Sequence, residues 1–297
     1  MTIVIPEEYH IKAALQKQRV HCISNQNALR QDIRALRIGI LNIMPAAESY
    51  EFSLLFPLGR SIIQIVPVWL KLKNHAYRSS SREHLDNHYL YFEEAVRHKH
   101  LDGLILTGAP VESIPFAEVN YWEELTAIIK YARQHVASTL GICWGGLALA
   151  RYMGLEKENY REKLFGIFKT KNINRRHRIT GEHDDYFWCP QSRHAGIADQ
   201  VLEKQQEQGK LNLLAYAEEA GYTILESADK RFLMHLGHPE YDANRLVDEY
   251  IRDREKKNLT AVRPKNLDIN RPHTLWRSHR FEFFSQWLKF VYETTPF

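Results

Sequence analysis

The run Ser138-Thr139-Leu140-Gly141-Ile142-Cys143-Trp144-Gly145-Gly146 carries an apolar, strand-like segment into a cysteine set among glycines. A helix-like stretch, 147–152, follows at once and closes at Gly154. A strand, a tight turn and a helix in immediate succession make a nucleophile elbow, which lifts the central side chain above the sheet with a helix N-terminus beneath it. The helix end favours negative charge, so it raises the share of thiolate, the attacking form of a cysteine. A cysteine in an apolar strand is more often a small packing residue. Glycines on both sides tell against that, because a packed thiol needs no open turn.

A second strand-end motif has complementary chemistry. Gly237-His238-Pro239-Glu240 follows the apolar run 232–236, and the flanking Gly and Pro mark a chain leaving a sheet. His238 is suited to act as a base, and Glu240 to orient it and stabilise its imidazolium. A lone His-x-Glu is usually a surface pair, yet its place after an apolar strand matches the place of Cys143. Two such ends on one chain point to a catalytic site.

Working outward, strands are expected at 38–41, 62–68, 103–107, 136–142 and 231–236, with helices between them at 48–58, 83–96, 121–133 and 146–152. Ser80-Ser81-Arg82-Glu83 has capping-box spacing, so Ser80 is expected to open the second of these helices. A polar loop, 263–272, precedes a final helix at 279–292. Alternating strands and helices, with strands apolar on both faces, imply an α/β fold with a mainly parallel sheet covered on both sides. Chemistry in such sheets gathers beyond the carboxyl ends of the strands. No repeat interrupts the pattern, and one domain over 1–297 is expected.

Composition narrows the function classes. Forty Lys and Arg against 36 Asp and Glu give a net charge of +4, too weak and scattered for a nucleic-acid protein. The densest basic stretch, 169–178, reads as a solvated loop or edge. Three cysteines, Cys22, Cys143 and Cys189, have no paired spacing, which argues against a disulfide framework or structural zinc and for a reducing compartment. The fifteen histidines form no ligand set by spacing, so no metal is expected. With no signal-like N-terminus and no long apolar run, the expectation is a cytoplasmic protein without a membrane span.

These motifs resemble the class I glutamine amidotransferase superfamily, and more closely its homoserine O-acyltransferase branch. The matching segments, in order, include Gln31-Asp32-Ile33-Arg34, Asn42-Ile43-Met44-Pro45, Thr107-Gly108-Ala109-Pro110, Glu162-Lys163-Leu164-Phe165-Gly166, Ser192-Arg193, His238-Pro239-Glu240-Tyr241 and Trp276-Arg277-Ser278-His279. The resemblance implies a flavodoxin-like three-layer sandwich in which Cys143 takes the acyl group of an acyl-CoA by a ping-pong route. It implies His238 and Glu240 as the rest of the triad, and an oxyanion hole from the amide of Trp144 with one from the Gly108-Ala109 turn. It assigns Lys163, Ser192 and Arg252 to the amino acid acceptor, with Arg252 clasping the α-carboxylate. Glu112 stands where the family sorts donors. A glutamate there goes with acetyl-CoA, since it fills space and repels the free carboxylate of a succinyl group. The resemblance further implies small-molecule substrates, acetyl-CoA as co-substrate with no bound cofactor, and a homodimer.

Two turns depart from the family pattern. Ala46-Ala47 replaces a lysine-rich turn, and Gly146-Leu147 stands where Gln-Ala is usual. The acceptor is therefore either homoserine or serine, which differ by one methylene, worth about 1–3 kcal/mol in a pocket. A succinyl donor, or a glutaminase or γ-glutamyl hydrolase built on the same triad, are the alternative readings.

Overall fold

In a computed structural model the protein is described over residues 2–257 and 261–296. Twelve strands join in one sheet. They are β1 (Thr2–Val4), β2 (His21–Ile23), β3 (Leu36–Leu41), β4 (Ile65–Lys71), β5 (Leu90–Tyr91), β6 (Gly103–Leu106), β7 (Ser138–Ile142), β8 (Glu158–Asn172), β9 (Tyr186–Gly196), β10 (Leu211–Ala217), β11 (Gly221–Ser227) and β12 (Phe232–His235). The helices are α1 (Lys12–Lys17), α2 (Asn25–Ala28), α3 (Ala47–Leu58), α4 (Arg82–His88), α5 (Phe92–Val96), α6 (Trp122–His135), α7 (Trp144–Tyr152), α8 (Asp199–Glu207), α9 (Ala243–Lys257) and α10 (Arg277–Thr294).

The strand order is β2-β1-β4-β3-β6-β7-β12-β11-β10-β8-β9, with β5 beside β4. From β2 to β12 every pairing is parallel. Beyond β12 the joins are antiparallel, through the long β8–β9 hairpin. Side chains along each central strand alternate between two cores. Ile105 and Leu233 pack with α1, α3 and α10 on one face. Leu104, Leu106, Phe232 and Met234 pack with α5, α6 and α7 on the other. That period-two division of a continuous apolar strand is what a sheet covered on both sides requires, and it gives the three layers the motifs imply.

The structure corrects several expected elements. The strand expected from Ile62 begins at Ile65, because Ser61 Oγ takes the amide of Ile63 at 3.2 Å in a turn and leaves Ile62 89% exposed. The helix expected at 83–96 is two short helices around β5. Tyr89 is extended, and its neighbour Leu90 pairs with Leu70. Its opening cap is Ser81, whose Oγ accepts from the His84 amide at 3.2 Å, whereas Ser80 Oγ accepts from the Ala47 amide at 3.0 Å. Nor is the 169–178 stretch wholly solvated: Arg178 pairs with the buried Glu226 and lies over the Phe290 ring. The antiparallel half and helices α8 and α9 come in addition to the expected elements.

Candidate active site

Strand β7 ends at Ile142 and α7 starts at Trp144, so Cys143 alone makes the corner, with φ 52° and ψ −113°. This is a strained conformation for a residue with a Cβ, of the kind that concentrates at functional sites. The corner is held on both sides. The Cys143 amide donates to the His235 carbonyl at 2.8 Å, and its carbonyl accepts from the Leu147 amide at 3.1 Å. Glycine is required just beyond it, since a Cβ on Gly145 would stand 2.3 Å from the Leu106 carbonyl oxygen.

β12 lies parallel to β7, with His235 opposite Ile142. The two strand ends therefore leave the sheet side by side, and this brings His238 to Cys143. The amide of His238 donates to the Pro190 carbonyl at 2.9 Å, which fixes the loop. Nδ1 of His238 lies 2.7 Å from Glu240 Oε1, and the Tyr50 hydroxyl donates to that same oxygen at 2.7 Å. Tyr241 stacks on the imidazole with centroids 4.1 Å apart. Burial by itself would depress the histidine. The sulfur of Cys143 and the carboxylate of Glu240 outweigh it and hold His238 well above its ordinary value. Burial pushes the Cys143 thiol up, and the neighbouring His238 offsets that only in part. A buried thiol, an imidazole within reach and a carboxylate behind it can pass a proton from sulfur to nitrogen as an electrophile is attacked.

The turn after β6 closes the site from the other side. Thr107 Oγ1 accepts from the Ile43 amide at 2.8 Å, tying this turn to the one after β3. A Cβ on Gly108 would lie 3.3 Å from Cε1 of His238, 3.6 Å from Cβ of Cys143 and 3.1 Å from Sδ of Met44. A side chain at position 108 would thus meet both His238 and Cys143, so glycine keeps that space open, a role the sequence motif did not disclose. Ala109 is buried beside it, and the Trp144 amide opens the first turn of α7, where amides have no partner within the helix. Oε1 of Glu112 reaches within 3.7 Å of Cys143 Sγ. Burial raises the Glu112 carboxyl, and its own backbone amide, His238 and Lys163 oppose that in part.

Lys163 and Ser192 meet at a residue not singled out from the sequence. Ser192 Oγ donates to Glu249 Oε2, the Tyr241 hydroxyl donates to Oε1 at 2.8 Å, and Lys163 Nζ stands 3.5 Å from Oε2. The Ser192 carbonyl lies 3.9 Å from Cys143 Sγ, so this cluster adjoins the thiol. Arg252 is not drawn into the cluster. Its guanidinium is exposed and is held by Asp253 at 3.2 Å, while Asp253 pairs with Lys163 at 2.8 Å. An i, i+3 relation to Glu249 on α9 was the one available signal, and it appears only once α9 is recognised as a helix.

Among the described residues one group could hold a metal ion: His10, Glu51 and His84, whose ligand atoms lie within 4.8 Å of one another. Spacing alone hid this set, because His10 lies in the turn before α1 while Glu51 and His84 lie on α3 and α4. The Glu51 carboxylate is satisfied without an ion, by the hydroxyls of Tyr9 and Tyr89 and by His84 Nε2 at 2.7 Å. All three cysteines are free and buried, and burial pushes Cys189 up to about 12.

A mainly parallel sheet with a strained cysteine elbow and a strand-end histidine gives the α/β fold that solved glutamine amidotransferases share. A glutamine amidotransferase from Thermotoga maritima superposes with a TM-score of 0.54 at 15% identity, over 87% of this chain and 99% of that one. The glutaminase domain of CTPS from Trypanosoma brucei gives 0.52 at 10%, over 89% and 96%. The model of the homoserine O-succinyltransferase family matches residues 2–297. A homoserine O-acetyltransferase of Bacillus subtilis (strain 168) is 38% identical over 302 residues, covering all of this chain and 99% of its own. One of Clostridium beijerinckii is 39% identical over 304 residues, covering 100% and 98%. The chain belongs to the homoserine O-succinyltransferase family and is an acyltransferase.

Proposed function

We propose that the protein transfers an acetyl group from acetyl-CoA to the side-chain hydroxyl of L-homoserine, through a thioester on Cys143. The observation that carries this reading is the meeting of Glu112 and Cys143 at 3.7 Å, beside the His238–Glu240 pair. In the first half-reaction the sulfur of Cys143 attacks the thioester carbonyl as its proton passes to His238. The tetrahedral oxyanion lies against the amides of Trp144 and Ala109, and coenzyme A leaves with the proton from His238. In the second half-reaction His238 takes the proton of the acceptor hydroxyl. The hydroxyl oxygen attacks the acetyl carbon, and the Cys143 sulfur leaves, regaining the proton. Glu240 holds the imidazole in the tautomer this needs and stabilises the imidazolium.

A carboxylate this close to the sulfur faces the acyl group of the donor. It leaves room for an acetyl methyl and opposes the terminal carboxylate of a succinyl group. The names of the relatives support homoserine as the acceptor. The Ala46-Ala47 turn, which stands in place of the family's lysine-rich turn, makes serine the rival to measure against it. Lys163, Ser192 and Arg252 would hold the acceptor. Arg252 would need to leave Asp253 to reach a carboxylate. Free, buried cysteines suit a reducing compartment such as the cytoplasm, and the homoserine relatives support a place in methionine synthesis.

The test is coenzyme A release with acetyl-CoA and succinyl-CoA crossed with homoserine and serine, using Cys143→Ala as the control. Fastest release from acetyl-CoA with homoserine, abolished in the control, is expected. Release from succinyl-CoA at an equal rate would overturn the donor assignment. Faster release with serine would overturn the acceptor.

A further inference from the structure

A cleft of about 650 Å³ opens between α3 and the start of α10, a size suited to a small molecule. Glu240 lines it, but neither Cys143 nor His238 does. Five cations, Lys17, Arg19, Arg60, Arg277 and Arg280, stand there against two carboxylates, Glu240 and Asp242, an excess of three positive charges. Glu240 is already engaged by His238 and Tyr50, and Asp242 by the Arg245 amide. None of the five cations forms an ion pair among the described residues.

Exposed arginines alone would be an ordinary surface, but Arg280 is 4% exposed. Its Nη1 donates to the carbonyls of Tyr241 at 3.2 Å and Glu240 at 3.5 Å, while its Nε has no partner among the described residues. Its guanidinium lies over the rings of Phe56 and Phe281, 5.1 and 5.0 Å from their centroids, and that of Arg60 lies over Phe281 at 5.3 Å. Burial pulls Arg280 down to about 10. Asp242 opposes this, and Arg277 adds to it. A buried cation without a counter-ion is costly, and an anion in the cleft removes that cost. The first turn of α10, which carries Arg277 and Arg280, has no acidic residue and no capping side chain. Its positive end is therefore open to the same anion.

We propose that this cleft binds a nucleoside diphosphate group, held by its phosphates on Arg60, Arg277 and Arg280. A diphosphate carries about three negative charges near neutral pH, which matches the excess of positive charge. Guanidinium forks pair with phosphate oxygens two at a time, and the phenyl rings of Phe52 and Phe56, stacked on each other, give the rest of the ligand an apolar wall. Such a group comes either from a free nucleotide or from the nucleotide end of coenzyme A. In both cases it bears on the triad, because Arg280 holds the carbonyls of Glu240 and Tyr241. The proposal stands whether or not Cys143 forms a thioester.

The test is calorimetric titration of the whole chain with ADP, pyrophosphate, adenosine and sulfate, in the wild type and in Arg60→Gln and Arg277→Gln. Neither side chain is buried, and melting temperatures close to that of the wild type show that the variants are folded. ADP and pyrophosphate should bind the wild type and compete with each other, adenosine should bind far more weakly, and each variant should lose on the order of tenfold in affinity for ADP. No binding of ADP or pyrophosphate to the wild type, an affinity for ADP unchanged in both variants, or sulfate bound as tightly as ADP would each overturn the proposal. Coenzyme A separates the two sources. Displacement of ADP by coenzyme A, with a raised KM for acetyl-CoA in the variants, assigns the cleft to the donor. Binding of ADP beside saturating coenzyme A assigns it to a free nucleotide. Either result upholds the site, and if no acetyl transfer is found the titrations still decide it.

Discussion

At the scale of the residue, Glu112 and Cys143 make the sharpest claim. A charged side chain 3.7 Å from the Cys143 sulfur bears on any acyl group that sulfur carries in the proposed reaction. Glu112→Gly removes both its bulk and its charge. An effect of about 1–3 kcal/mol is typical for one group in a pocket, so the acetyl-to-succinyl ratio of kcat/KM should fall by roughly ten- to a hundredfold. An unchanged ratio would separate Glu112 from donor choice. Gly108 makes a steric claim. A methyl group there would stand 3.3 Å from Cε1 of His238 and 3.1 Å from Sδ of Met44, so it crowds the imidazole while making only ordinary contact with Cys143. Gly108→Ala should lower kcat at least tenfold while the melting temperature moves by only a few degrees. A variant with full kcat would show that the turn has slack to move away.

At the scale of the element, α3 supports the site from behind. Its N-terminal turn delivers the Tyr50 hydroxyl to the oxygen of Glu240 that also holds His238, while Oε2 of Glu240 has no partner among the described residues. Without Tyr50, Oε1 of the buried carboxylate is held only by His238, the residue it is proposed to orient. Hydrogen bonds to charged groups are worth about 1.5–3 kcal/mol. Tyr50→Phe should therefore cut kcat on the order of tenfold or more and leave KM for the acyl donor nearly unmoved. A rise in that KM at constant kcat would contradict the assignment. The elbow could be read in the sequence because one local pattern, strand, cysteine, glycines and helix, encodes it. His238 and Glu240 could be read for the same reason. Glu249 and Tyr50 could not, since each reaches the site by tertiary contact from a helix whose own sequence does not mark it. The antiparallel strands escape a sequence reading because β8 mixes charged residues with a short apolar run, and only pairing with β9 and β10 makes it a strand.

At the scale of the whole molecule, the α10 layer holds three histidines in the core, His183, His235 and His279, against Phe187 and Phe283. Burial drives each one down, His183 to about 4 and His235 to about 3, with His279 well below its ordinary value. All three are neutral in the folded protein. The unfolded chain takes up protons near 6.5 while the folded one does not, so stability is complete above that pH and drains as pH falls toward the depressed values. Each such group adds about 1.4 kcal/mol per pH unit in that window. Neither ring nitrogen of His279 has a partner among the described residues, so His279→Phe costs no hydrogen bond. The variant should lose about one proton's worth of the slope of unfolding free energy between pH 6 and 4. Parallel profiles for the two proteins would show that His279 titrates normally in the fold.

The most direct test of the acyl-enzyme needs no acceptor at all. The protein is mixed with acetyl-CoA alone, and the peptide containing Cys143 is weighed. The expected result is one acetyl group on Cys143, formed with release of one coenzyme A and discharged when homoserine is added. Coenzyme A release only when donor and acceptor are present together, with Cys143 never modified, would contradict it.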